Sequence, residues 1–275
     1  DIPFLPISFF KSHQILDNNF TPTQYFLSSG TTKMERSKHW IANLNLYEQS
    51  IEKCFEIFFG KINNWCIIAL LPAYIENKYS SLIYMTNFLM NKSNHPDNGY
   101  YLENFDQLNN TLIKLNTLNQ PVWLIGVSFA LLDFANKFQI NGENITVINT
   151  GGMKGRGKEL IPLEVNSILS KSFINAQISG EYSMTELLSQ AYMNSNGNYV
   201  CPPWMKIVVS DMDNPINISE YGKGIINIID LANIHSCSFI KTDDIGEVFA
   251  DGSFTILGRK DNADLRGCGM LLNNV

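Results

Sequence analysis

Ser28-Ser29-Gly30-Thr31-Thr32 gathers four hydroxyls around one glycine, and such a turn can hold an anion. Gly30 permits a positive φ and a close backbone approach. The hydroxyls of Ser28, Ser29, Thr31 and Thr32 add donors beside the backbone N–H groups. Phosphate is the natural ligand for that chemistry. Near the other end, Gly258-Arg259-Lys260-Asp261 and Arg266-Gly267-Cys268 bring cations and a thiol. A thiolate forms thioesters readily, and a cation beside it lowers the pKa of the thiol. Arg266 stands two positions before Cys268, with Gly267 and Gly269 on either side. An idle thiol in a frayed tail is the competing reading of Cys268.

Another stretch nearly spells a nucleotide loop. Gly152 to Gly157-Lys158 has the spacing of the NTPase phosphate loop and follows the strand-like Ile145–Ile148. The next residue is Glu159, where that loop needs a Ser or Thr for its metal. Glutamate also sets negative charge against phosphate, so this reading is rejected. Lys154 and Arg156 either face a ligand or solvate a loop. His13, His39, His95 and His235 show no partner spacing, and surface or internally satisfied imidazoles are expected.

Positioning these residues requires a core. Apolar, β-rich runs recur at Trp65–Leu71, Val122–Phe129, Ile145–Ile148, Lys206–Val209 and Gly224–Ile229. Helical spacing separates several of them, including residues 40–59, with Trp40, Leu44, Tyr47, Ile51, Phe55 and Phe58 in register, and Ser128–Phe138. That alternation predicts an α/β architecture with a mostly buried sheet. If a helix follows the hydroxyl-rich turn, its dipole adds to anion binding. Val248 to Ile256 reads as a hairpin around Asp251-Gly252, in a smaller antiparallel unit over 238–260. Asn91 to Gly99 reads as a polar, mobile loop.

Composition narrows the function classes. A chain of 275 residues with a 45% apolar fraction can bury a substantial core. The net charge of −6 argues against nucleic-acid backbone binding. No apolar run approaches a membrane span. Cys54, Cys66, Cys201, Cys237 and Cys268 include no CxxC pair, and the odd count does not suggest a disulfide framework. Free thiols in a reducing cytoplasm are expected. The chain begins at Asp1 without a methionine, so its native N-terminus is open.

Read in order, four short motifs share one resemblance. Ser28 to Thr32 matches the Ser-Gly-Thr-Thr phosphate loop of adenylate-forming enzymes, the acyl-CoA ligase superfamily. Glu181-Tyr182-Ser183-Met184-Thr185-Glu186 resembles their Tyr-Gly-x-Thr-Glu motif. Lys241-Thr242-Asp243-Asp244 is similar to Thr-Gly-Asp, and Gly258 to Asp261 to Gly-Arg-x-Asp. Asn149 to Gly157, the terminal Arg266-Gly267-Cys268 and the opening Ile2 to Lys11 resemble the acyl-protein synthetase branch. That branch includes the synthetase subunit of the bacterial bioluminescence fatty-acid reductase, and in it a cysteine near the C-terminus carries the acyl group.

The resemblance implies the large N-terminal-type domain, with mixed sheets flanked by helices, a small antiparallel β unit, and no mobile C-terminal lid. It implies one domain over 1–275. Ser28, Ser29, Gly30, Thr31 and Thr32 would hold the pyrophosphate end of ATP, and Thr185 the α-phosphate. Glu186 would bind Mg²⁺, which prefers oxygen ligands. Tyr182 would lie against the adenine, with Gly151 and Gly152 leaving room for the base. Asp244 would accept from the ribose hydroxyls, Arg259 would donate to the same sugar, and Cys268 would take the acyl group. The implied substrate is a carboxylic acid, fatty by analogy with the branch. The implied partner is an acyl reductase or acyltransferase.

Departures keep two alternatives open. Lys33-Met34 stands where the superfamily has Gly-x-Pro-Lys, Ser183 replaces the glycine after the tyrosine, and Asp243 the glycine before Asp244. One alternative is an acyl-CoA ligase-like or free-standing adenylating enzyme in which Cys268 is idle. The other is a degenerate subunit that binds an acyl-nucleotide without catalysis.

Overall fold

The computed structural model describes residues 2–29, 35–71, 78–102, 104–151 and 160–260. The chain opens with β1 (Leu5–Pro6) and the one-turn helix α1 (Phe9–Ser12), whose Phe10 is fully buried. β2 (Gln24–Leu27) and β3 (Lys38–Ile41) pair antiparallel as a separate ribbon. α2 (Leu44–Phe59) follows, capped by Asn43, whose side chain accepts from the Asn45 N–H. Its buried residues Tyr47, Ser50, Ile51, Cys54 and Phe55 form one stripe, and Gly60 at φ +81° ends it.

This corrects the expected helix over 40–59. Trp40 matched the helical period, but it lies on β3, opposite Tyr25. A strand therefore separates the anion turn from α2, and the helix does not open directly behind the turn. Helix-dipole assistance from that source is withdrawn.

The next stretch alternates strand and helix: β4 (Cys66–Leu70), α3 (Ser81–Ser93), β5 (Gly99–Tyr100), α4 (Phe105–Thr117), β6 (Val122–Val127), α5 (Ser128–Ala135). It continues with β7 (Ile140–Asn141), β8 (Ile145–Thr150), α6 (Pro162–Ser172), β9 (Phe173–Ile174) and β10 (Gln177–Tyr182). Every residue of β4, β6 and β8 is buried, as parallel strands covered by helices must be, including the polar Thr146, Asn149 and Thr150 of β8. The expected helix over Ser128–Phe138 stops at Ala135.

The expectation of a mobile loop at Asn91 to Gly99 is also corrected. α3 runs through Ser93, and Asn98 ties the remainder down. Its Oδ1 accepts from the Ile67 N–H at 2.7 Å, and its Nδ2 donates to the Met90 carbonyl at 2.9 Å.

The last third is antiparallel: β11 (Ala191–Met193), β12 (Tyr199–Val200), β13 (Met205–Ser210), β14 (Ile218–Ser219), β15 (Gly222–Asp230), β16 (Phe239–Val248) and β17 (Phe254–Arg259). The expected hairpin is present as β16 and β17, with Gly252 at φ +82° in the turn. One sheet runs β14-β13-β15-β16-β17-β12-β11-β10-β8-β6-β4-β5, with β1 parallel to β16. Its parallel half is β10-β8-β6-β4-β5, and β10 meets the antiparallel half through β11.

Each half has its own core. Trp123, Phe55 and Phe134 fill one, while Phe10, Phe254, Ile226 and Ile240 fill the other. Tyr182 belongs to the second core although its strand lies in the first half. Among the described motif residues, Gly151 and Tyr182 lie at the C-terminal ends of β8 and β10, where open α/β sheets bind ligands, and Asp244 meets Tyr182 there. No helix among the described residues is long and apolar enough to cross a membrane. Cys54 and Cys66 are buried thiols, and Cys201 and Cys237 are half-buried ones.

Candidate functional site

Asp244 is the centre of the site. It lies on β16 directly opposite Arg259 of β17, so the antiparallel register brings their side chains together. Arg259 Nε donates to Asp244 Oδ1 at 3.0 Å, and the Tyr182 hydroxyl donates to Asp244 Oδ2 at 2.8 Å. The Asp244 side chain is only 10% exposed, whereas that of Arg259 is 66% exposed. Burial and the Asp244 carboxylate push the Tyr182 phenol well above its ordinary pKa, so it stays a donor. Among the described residues each Asp244 oxygen has one side-chain donor, and a carboxylate oxygen can accept two.

Alternation along β10 turns Glu181 to the opposite face. There the Thr150 hydroxyl donates to Glu181 Oε2 at 2.5 Å, and among the described residues no donor in hydrogen-bond geometry meets Oε1. Burial drives this carboxyl up to about 7, against the hydrogen bonds from Thr150 and Ser183. β8 ends beside it in Gly151, whose φ of +69° suits glycine. The Ser128 hydroxyl steadies that turn, sharing its proton between Asn149 Oδ1 (2.8 Å) and the Gly151 carbonyl (2.9 Å).

The connection from β10 to β11 carries Thr185, half-buried, and Glu186, buried. His39 Nδ1 lies 2.8 Å from the Thr185 carbonyl oxygen. A carbonyl only accepts, so Nδ1 carries the proton. Asn233 Nδ2 donates to the Glu186 carbonyl at 2.7 Å. Farther along, buried Asp230 accepts from the Leu188 N–H at 2.9 Å and the Ser189 hydroxyl at 2.6 Å. Burial raises the Glu186 carboxyl, while a hydrogen bond from the Ser37 side chain and the charges of Arg259 and Lys11 hold it down.

Ser28 closes the β2–β3 ribbon. Its N–H donates to the Ser37 carbonyl at 3.0 Å, and its Oγ accepts from the Ser37 N–H at 2.9 Å. Ser29 beyond it is exposed. Gly30, Thr31, Thr32, Gly152 and Cys268 lie outside the described residues, as do Lys154, Arg156 and Lys158.

The structure thus joins Tyr182, Asp244 and Arg259 directly, and joins Ser28 to Ser37. Sequence reasoning missed Ser37, His39, Glu181, Asp230 and Asn233. One signal existed: Ser37, His39 and Ile41 alternate as the buried face of the ribbon. Among the described residues, no group of three His, Cys, Asp or Glu side chains could cage a metal.

No family model and no curated protein matches this sequence. Solved structures do match its fold. The luciferase-like enzyme of the nonluminescent mealworm Zophobas morio superposes with a TM-score of 0.62 at 15% identity, over 87% of this chain and 58% of that one. ATP-bound MatB from Rhodopseudomonas palustris gives 0.60 at 15% identity, over 86% of this chain and 47% of its own. O-succinylbenzoate coenzyme A synthetase from Bacillus subtilis, with ATP and magnesium, gives 0.58 at 15% identity, over 88% and 50%. The chain spans between 47% and 58% of these three proteins. The sheet, its flanking helices and the β16–β17 hairpin have the architecture of the large domain of adenylate-forming enzymes, and that is the fold of this chain.

Proposed function

We propose that this protein activates a carboxylic acid with ATP and Mg²⁺. The carboxylate oxygen attacks the α-phosphorus, an acyl–O–P bond forms, and the bond to the β-phosphate breaks to release pyrophosphate. The observation that carries this reading is the Asp244 carboxylate, held between Tyr182 and Arg259 with acceptor capacity to spare. Paired acceptors of that kind suit the two hydroxyls of a ribose, and the exposed guanidinium supplies donors to the same sugar.

The remaining roles follow. Tyr182 and Gly151, with Gly152, flank the base. Ser28, Ser29, Gly30, Thr31 and Thr32 grip the pyrophosphate end, Thr185 contacts the α-phosphate, and Glu186 is the protein ligand to Mg²⁺, which supplies charge compensation when bound.

In the second step the Cys268 thiolate attacks the acyl carbon of the mixed anhydride. The carbon–sulfur bond forms, the acyl–oxygen bond breaks, and AMP leaves with the electron pair. The acyl-thioester then passes to a protein partner, an acyl reductase or acyltransferase. Arg266-Gly267-Cys268 and the resemblance to acyl-protein synthetases support this assignment and a fatty acid as substrate. Unpaired thiols at Cys54, Cys66, Cys201 and Cys237 favour a cytoplasmic setting.

The test is carboxylate-dependent exchange of labelled pyrophosphate into ATP, run across a panel of acids. Exchange that depends on both acid and Mg²⁺ is expected. ATP binding without exchange for any acid would instead favour a non-catalytic binding subunit.

A further inference from the structure

We propose that His39 and Asn233 are positioning residues that aim Thr185 and Glu186 at the reacting phosphates. This inference rests on the reading of the site given above. Thr185 and Glu186 lie on a connection without helix or strand, residues 183–190, so no backbone ladder fixes their direction. Their carbonyls are fixed instead by two side chains from distant parts of the sequence. His39 holds the Thr185 carbonyl from β3, and Asn233 holds the Glu186 carbonyl from the short turn after β15. With adjacent carbonyl groups held, the peptide plane between the two residues can turn little.

The imidazole is suited to this task. It is fully buried, its ring meets Phe10 edge-on at 5.4 Å, and burial lowers its pKa to about 4. At neutral pH it is an uncharged donor with one proton at Nδ1, which the Thr185 carbonyl receives. Asn233 is equally enclosed, at 1% exposure. Each contact gives a buried carbonyl the partner it requires.

The strand that carries His39 also connects the other parts of the site. Ser37, two residues earlier on the same face, helps hold the Glu186 carboxyl's pKa down, and its N–H donates to Ser28 Oγ. Residues 37–39 thereby hold the Thr185 carbonyl and the Ser28 hydroxyl with one piece of backbone, beside the Glu186 carboxyl. A shift in the ribbon displaces all three together. Misplacement by about 1 Å costs on the order of 100-fold in rate when reacting groups must be aligned.

The test uses the full chain and an acid that supports pyrophosphate exchange in the wild type. His39→Leu keeps apolar bulk against Phe10 but donates nothing. His39→Asn restores an N–H near the original Nδ1. We expect His39→Leu to lower kcat about 10- to 100-fold, with KM for ATP changed less than about threefold, and His39→Asn to recover most of the loss. The Mg²⁺ concentration for half-maximal exchange should rise in His39→Leu and in Asn233→Ser, because both loosen Glu186.

A purely structural role would lower the folded fraction without this split between kcat and KM. If His39→Leu fails to fold, Asn233→Ser carries the same measurement. A wild-type kcat and Mg²⁺ response in folded variants would overturn the inference, as would a His39→Asn protein as slow as His39→Leu. Folded wild-type protein that exchanges with no acid would remove the reading beneath it, a result distinct from active wild type with unaffected variants.

Discussion

Asp244 and Arg259 face each other across adjacent antiparallel strands, and the guanidinium reaches the carboxylate from the solvent side at 3.0 Å. Mutual attraction alone would make this a modest surface ion pair. The third partner changes its meaning. Tyr182 approaches the same carboxylate from the buried side, out of a strand in the other half of the sheet. The carboxylate is thereby oriented by two donors before any ligand arrives.

Asp244→Ala should weaken nucleotide binding. Hydrogen bonds to a charged acceptor are worth about 1.5–3 kcal/mol, so the loss corresponds to roughly a 10- to 150-fold rise in Kd. Calorimetric titration with ATP and with AMP measures it, and the ribose assignment requires both ligands to be affected alike. Unchanged affinity for either would reject that assignment.

Glu186→Gln should act on turnover. A carboxylate that helps hold a metal at the transferring phosphate matters most as charge develops, and losing such a group costs on the order of 100-fold. Exchange rates at saturating ATP should fall, with the Mg²⁺ optimum moved upward. An unaltered metal dependence would show that Glu186 has another task.

Cys268→Ser separates activation from transfer. The variant should retain pyrophosphate exchange while losing the hydroxylamine-labile acyl label on denatured protein. Substitution of Cys54, Cys66, Cys201 or Cys237 should leave that label in place. Labile labelling in Cys268→Ser equal to wild type would reject the acyl-carrier role.

Two buried groups give opposite pH dependences of stability. Glu181 is raised from 4.5 to about 7, so across that window the folded state keeps a proton that the unfolded state has released. Its contribution is therefore present at low pH and is lost as pH rises toward about 7. His39 is lowered from 6.5 to about 4, and there the unfolded imidazole binds a proton that the folded one does not. Its contribution grows as pH rises from about 4 to 6.5. One proton of difference is worth about 1.4 kcal/mol per pH unit. Urea unfolding at a series of pH values should show Glu181→Gln gaining stability relative to wild type as pH rises through its window. His39→Asn should lose it over the corresponding range. Parallel curves for variants and wild type would contradict the burial argument.

The sequence disclosed the apolar strands well, because β4 and β6 are buried on both faces and read as nearly continuous apolar runs, and Ile145, Val147 and Ile148 mark β8 in spite of its buried Thr146, Asn149 and Thr150. The β16–β17 hairpin was legible from Asp251-Gly252. Trp40 misled because the helical period of the α2 stripe extends one turn backward into a strand by coincidence. Asn98 was invisible as an anchor, since a polar residue among polar residues reads as loop until its backbone partners are known.

The motif residues Tyr182, Asp244 and Arg259 could be picked out singly by resemblance, but their convergence depends on the register between β16 and β17. His39 and Asn233 act through backbone carbonyls 146 and 47 residues away, and no local spacing can announce such pairs.

The single sheet beneath both cores has a final consequence. Tyr182 and Asp244 sit on different halves, yet an unbroken series of paired strands runs from β10 through β11, β12 and β17 to β16. The site therefore has a floor rather than a hinge. Moving Tyr182 relative to Asp244 would strain a run of paired strands and not a single connection, so the spacing between this hydroxyl and this carboxylate is a property of the whole sheet.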